Sequence, residues 1–186
     1  MAVASRPLTL EAFSKLPEEE PPLEFSDGAA TPKMSPTGRH AALQAELVKQ
    51  LDRSGLPDKL VRAFPELRVT FGGSSYVPDI AVYRWQRIPV DADGRIADDF
   101  REPPDIIIEI ASPEQSVNAL VRRCLWYVRN SVQFALLVDP ADKSVLAFCP
   151  DRQATAWRAS DRIDLSEILP DFVLTAEQLF ASLHHA

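Results

Sequence analysis

Two carboxylates stand where carboxylates are costly. Glu109 lies in Pro103-Pro104-Asp105-Ile106-Ile107-Ile108-Glu109-Ile110-Ala111-Ser112-Pro113, an apolar, β-branched run that reads as a strand buried on both faces. An unpaired charge there is strongly penalised, so Glu109 requires a metal, an arginine or cleft water. Asp79 follows a proline in Val77-Pro78-Asp79, inside a second strand predicted over Tyr76–Tyr83. If these strands pair antiparallel, the two acids converge at one end of a sheet. Oxygen ligands of this kind suit a hard cation such as Mg²⁺, which keeps several waters and accepts phosphate oxygens. The residue types equally admit a structural reading, with Asp79 capping its strand and Glu109 paired to a core arginine.

Two helices must position whatever joins these acids. The first runs from about Thr37, a plausible N-cap, to about Arg53. His40, Leu43, Leu47 and Leu51 share one side, so His40 sits at the N-terminal end of the buried face. Two readings stay open for it: a core histidine bonded to a loop carbonyl, or a polar group aimed at a site. The second helix spans Val117–Asn130, with Val117, Leu120, Val121, Cys124, Leu125 and Val128 as its apolar stripe. Arg123 and Tyr127 lie along one flank. Trp126 projects nearly opposite the stripe beside Arg122 and Arg129, where cover by another segment or a second subunit is expected.

The remaining elements are shorter. Leu8–Leu16 reads as a helix with Leu10, Phe13 and Leu16 on one face. Leu23-Glu24-Phe25 and Ala30–Met34 flank Ser26-Asp27-Gly28, a hairpin signal, with Pro32 confining the second arm to an edge. Leu67–Phe71 is a strand and Gly72–Ser75 a turn. Residues 84–104 form a polar excursion that must be functional, mobile or locally folded. Phe134–Val138, Val145–Phe148 and Ala154–Trp157 extend the sheet, and a last helix runs from Thr175 to about Leu183. His184 and His185 fall in a solvated tail.

At 186 residues the chain suits one domain, 1–186, with 1–22 as a helical lead-in. Hydrophobic content of 46% and charged content of 25% match a soluble globular protein. No signal peptide or membrane-length apolar run is evident, so a cytoplasmic location is expected. Two cysteines, Cys124 and Cys149, make neither a disulfide nor a zinc framework. The net charge of −7 argues against coating nucleic acid by bulk attraction, yet allows a local basic patch.

Taken in order, Val77-Pro78-Asp79, Asp105–Pro113, the helix with Arg123 and Tyr127, and Leu137-Val138-Asp139-Pro140 resemble a widespread bacterial family. It is a family of putative restriction endonucleases, formerly a domain of unknown function, within the PD-(D/E)XK nuclease superfamily. Leu23–Gly28, Met34-Ser35-Pro36 with His40, and Leu169-Pro170-Asp171-Phe172 extend the resemblance over most of the chain. It implies an α/β restriction-endonuclease-like domain with a mixed sheet flanked by helices and an N-terminal hairpin.

The resemblance further implies Asp79, Glu109 and the Ile110 carbonyl as metal ligands, with Mg²⁺, or Mn²⁺, activating water against a DNA phosphodiester. Glu24 and His40 match positions often polar in the family, as second-tier site residues alongside Tyr127. The superfamily lysine falls at Ala111, and the family's shifted lysine falls at Arg123. Arginine can clamp a phosphate but does not readily give up a proton. Asn118 and Ala119 stand where an acid is common early in that helix. Two functions are therefore expected to compete: a metal-dependent DNA endonuclease, with Trp126 as a candidate dimer contact, and an impaired nuclease-fold protein acting as a binding or regulatory module.

Overall fold

The computed structural model describes residues 7–184. Helix α1 (Leu10–Phe13) leads into the hairpin β1 (Leu23–Ser26) and β2 (Ala29–Pro32). Its turn places Asp27 and Gly28 at φ 50° and 76°, the left-handed pair a two-residue hairpin requires. Helix α2 (Gly38–Gly55) starts at Thr37, whose hydroxyl accepts from the His40 N–H. Strands β3 (Val61–Pro65), β4 (Val69–Phe71), β5 (Ser74–Tyr76), β6 (Ile80–Arg84) and β7 (Ile106–Ile110) follow. Helix α3 (Val117–Arg129), strands β8 (Phe134–Asp139), β9 (Ser144–Phe148) and β10 (Thr155–Arg158), and helix α4 (Ala176–Ala181) complete the order.

The strands form two sheets. A six-stranded mixed sheet has the order β10-β9-β8-β7-β6-β3, and a four-stranded antiparallel sheet the order β2-β1-β5-β4. Among the strands of the described residues only β7 and β8 pair in parallel, and α3 makes the crossover between them. Alternation along β7 divides the core. Ile106, Ile108 and Ile110 pack with Leu43, Leu47 and Leu51 of α2, while Ile107 packs with Leu120, Cys124 and Tyr127 of α3. Glu109 therefore belongs to the α3 face. Asp105, fully buried at the other end of the run, is held by Arg84 at 2.6 Å and Arg87 at 2.7 Å.

Several expectations are corrected. The first helix is only four residues long, and Leu16 is exposed, because the following Pro-rich stretch cannot continue it. The strand expected over Tyr76–Tyr83 is two strands in different sheets, split at Val77-Pro78-Asp79 where proline lacks a ladder donor. Ser74 and Ser75 belong to β5, which leaves Gly72-Gly73 as the turn, and β3 was not anticipated. The excursion after β6 is locally folded. It opens with a 3₁₀ turn at Trp85–Arg87 and returns through Phe100, whose ring packs on Phe64 and Tyr83.

Trp126 is half-buried against Phe71 and Tyr76 of its own chain. The β4–β5 turn lies so close that a Cβ on Gly72 would meet the Asn130 side chain at 2.3 Å. Its cover is thus intramolecular. His185 lies outside the described residues. Among the described residues, no helix is long and apolar enough to cross a membrane.

Candidate functional site

Antiparallel pairing sets Ile80 opposite Ile108, so Asp79 at the entry to β6 lies beside Ile110 at the exit of β7. The Ile110 N–H donates to Asp79 Oδ2 at 2.7 Å. Asp79 Oδ1 faces the Lys33 ammonium at 2.9 Å and His40 Nε2 at 3.2 Å. Burial by itself would raise this carboxyl, but His40, Lys33 and the Ile110 N–H outweigh it and hold it below the usual carboxylate range. His40 lies in the first turn of α2, where its Nδ1 is 3.2 Å from Ser112 Oγ. Its Nε2 is near Asp79 but poorly aligned, and it has no hydrogen-bond partner.

Lys33 arrives from the end of the hairpin, its side chain 11% exposed, and also touches Glu66 Oε2 at 2.5 Å. Burial works against its charge, but Asp79 and Glu66 overcome this and raise its pKa. One turn after His40, the Gln44 amide donates to Glu66 Oε1 at 2.8 Å and to the Asp79 carbonyl at 2.7 Å. His40, Glu66 and Asp79 each offer a ligand atom, all within 4.8 Å of one another.

Glu109 is bound on the other side. The Tyr127 hydroxyl donates to its Oε1 at 2.6 Å, and an Arg123 nitrogen stands 3.7 Å away. Burial pushes this carboxyl up to about 7; Arg123 opposes the shift, while the charges of Asp79 and Glu24 reinforce it. Arg123 itself donates to Glu24 at 2.6 and 3.2 Å and stacks 4.8 Å from the Tyr76 ring centre. Glu24 also accepts from the Val77 N–H at 3.0 Å, which ties the hairpin to the Pro-Asp break. Glu24, Lys33, His40, Asp79, Glu109 and Arg123 line one open cavity of about 750 Å³, whose wall also includes Arg122 and Arg129.

The structure thus gathers Asp79, Glu109, Arg123, Glu24 and His40 in one cavity, with Tyr127 behind Glu109. Ile110 meets Asp79 through its N–H. Among the described residues, the acids and imidazole that converge as one ligand set are His40, Glu66 and Asp79, while Glu109 is engaged by Tyr127 and Arg123. The mixed N/O donors fit a divalent cation, because His40 Nε2 is buried without a hydrogen bond and an ammonium already sits against both acids. Sequence reasoning missed Lys33, Glu66, Gln44 and Ser112.

The model of the family described as Uma2, putative restriction endonuclease, matches residues 10–177. The chain belongs to the Uma2 family. A crystal structure of a putative nuclease belonging to DUF820, from Anabaena variabilis ATCC 29413, has the same fold at a TM-score of 0.92. It is 36% identical over 96% of this chain and all of that one. The curated proteins include no match. The Uma2 assignment and this likeness agree with the mixed-sheet, restriction-endonuclease-like architecture expected from the sequence.

Proposed function

We propose that this Uma2 protein is a single-domain, Mg²⁺- or Mn²⁺-dependent endonuclease that hydrolyses DNA phosphodiester bonds. The observation that carries the reading is the meeting of Asp79 and Glu109, from adjacent antiparallel strands, in one cavity walled by arginines. Asp79 and Glu109 would hold the metal, with the Ile110 carbonyl as a further ligand. When bound, that metal supplies an activated water and takes up charge on the phosphate and the leaving oxygen.

The chain's own groups set the rest. Tyr127 orients Glu109 through a 2.6 Å hydrogen bond, and Glu24 fixes the guanidinium of Arg123 at the cavity wall. Arg123 neutralises phosphate charge without exchanging a proton. His40 supports Asp79 from α2. A homodimer working in the cytoplasm would bring two such sites to the two strands of a duplex.

A second reading has its own support. Arg123 already spends two hydrogen bonds on Glu24, and Ala111 supplies no side-chain cation, which favours a binding module that no longer cuts. A plasmid-nicking assay with Mg²⁺ or Mn²⁺ separates the readings. Cleavage lost in EDTA and in both Asp79→Ala and Glu109→Ala supports the enzyme; equal residual cleavage in all three proteins removes it.

A further inference from the structure

We propose a second cation position, formed by Asp79, Glu66 and His40, which the Lys33 ammonium fills from within and a first-row divalent ion such as Mn²⁺ takes over. It shares Asp79 with the proposed nuclease site, but takes Glu66, which does not line the cavity that holds Glu109, as its second carboxylate. Three observations on independent elements carry it.

The first is the unpartnered imidazole nitrogen. His40 is 5% exposed, and its Nε2 has no hydrogen bond although it faces Asp79 Oδ1 at 3.2 Å. Nδ1 lies 3.2 Å from Ser112 Oγ, which fixes the ring, while Nε2 faces the carboxylate without an aligned hydrogen bond, an arrangement that a cation between them resolves. A ligating histidine fixed through its other ring nitrogen is the usual arrangement in metal sites.

The second is the ammonium itself. Lys33 Nζ bridges Glu66 and Asp79 at 2.5 and 2.9 Å, so the cluster already holds a cation. The one positive charge of Lys33 leaves the two carboxylates one charge short of balance. A divalent ion supplies that charge. The third is support and access. Gln44 anchors both Glu66 and the Asp79 backbone, while the Glu66 side chain is 40% exposed and opens a path from solvent.

One imidazole among carboxylates shifts preference from Mg²⁺ toward Mn²⁺ and its neighbours. Metal entry requires Lys33 to swing out, since two cations so close repel strongly. Lys33 already lines the cavity that holds Asp79, Glu109 and Arg123, so its displaced ammonium stays beside them.

The test reads metal binding and is independent of cleavage. Mn²⁺ is titrated into the full chain, and free ion is followed by electron paramagnetic resonance. Lys33→Met is expected to bind Mn²⁺ about tenfold more tightly than wild type, because a competing unit charge is gone. Adding Glu66→Gln or His40→Ala to Lys33→Met reverses the gain, whereas adding Glu46→Gln, an α2 acid paired with Lys49 and outside the cluster, leaves it within about threefold. Lys33→Gln, with a polar end group, repeats the comparison if Lys33→Met melts, and its melting temperature rises more with Mn²⁺ than that of wild type. The proposal is overturned if neither lysine variant gains affinity, if Glu66→Gln leaves the gain intact, or if Glu46→Gln abolishes it as fully as Glu66→Gln does. Because no arm measures cleavage, a protein that fails to nick DNA can still pass, and one that nicks can still fail.

Discussion

Arg123 and Glu24, 99 residues apart in the chain, are joined by two hydrogen bonds of 2.6 and 3.2 Å. This pair fastens helix α3 to the N-terminal hairpin and so closes one wall of the cavity. It also explains how an arginine can sit 3.7 Å from Glu109 without collapsing onto it. The arginine is a fixed charge in a frame, and the frame reaches Asp79 through the Val77 N–H that Glu24 also accepts.

Breaking one half of that frame strands the other. Removing one partner of a buried pair is costly, and Arg123 is 26% exposed, which moderates the effect. Glu24→Gln and Arg123→Met are each expected to lose about 2–4 kcal/mol in urea denaturation. The double variant should lose clearly less than the sum, since it leaves no unpaired charge. Strict additivity would mean that the pair is not coupled.

Arg122 and Arg129 are exposed on α3 at the cavity wall, a local basic edge on a chain of net charge −7. Each phosphate contact contributes about −0.9 to the slope of log affinity against log salt. The Arg122→Ala/Arg129→Ala pair should therefore flatten that slope by about two for a metal-free duplex. An unchanged slope would move the DNA path elsewhere.

Glu109 sets a pH dependence. Its carboxyl is raised from 4.5 to about 7 in the fold, so the folded state binds the proton more tightly than the unfolded one. Stability from this group is full below about 4.5 and is lost as pH rises through about 7. In EDTA, Glu109→Gln should thus gain on wild type between pH 5 and 8, by about 3 kcal/mol at most. Denaturant midpoints at four pH values would check this; parallel profiles would contradict it.

The parts legible in the sequence are those whose signal is local. The run Ile106–Ile110 announces a doubly buried strand through composition, and His40, Leu43, Leu47 and Leu51 announce the inner face of α2 through period. Asp79 and Glu109 stand out because acids are unusual in such settings. Val61–Pro65 escaped notice because Arg62 and Pro65 break its short apolar pattern. The split at Pro78 reflects sheet assignment, which depends on partners distant in sequence. Lys33 and Glu66 escaped for the same reason: each is an ordinary surface-type residue until folding brings it to Asp79. Trp126 looked outward because helical period cannot anticipate the β4–β5 turn that covers it.

A crystal soaked in Mn²⁺ and measured at an anomalous wavelength tests the metal site at Asp79 and Glu109. A peak is expected between the carboxylates of Asp79 and Glu109, with Glu109 turned from its Tyr127 hydrogen bond toward the ion. A soaked crystal with no peak there, and with Glu109 still bound only by Tyr127 and Arg123, would contradict it.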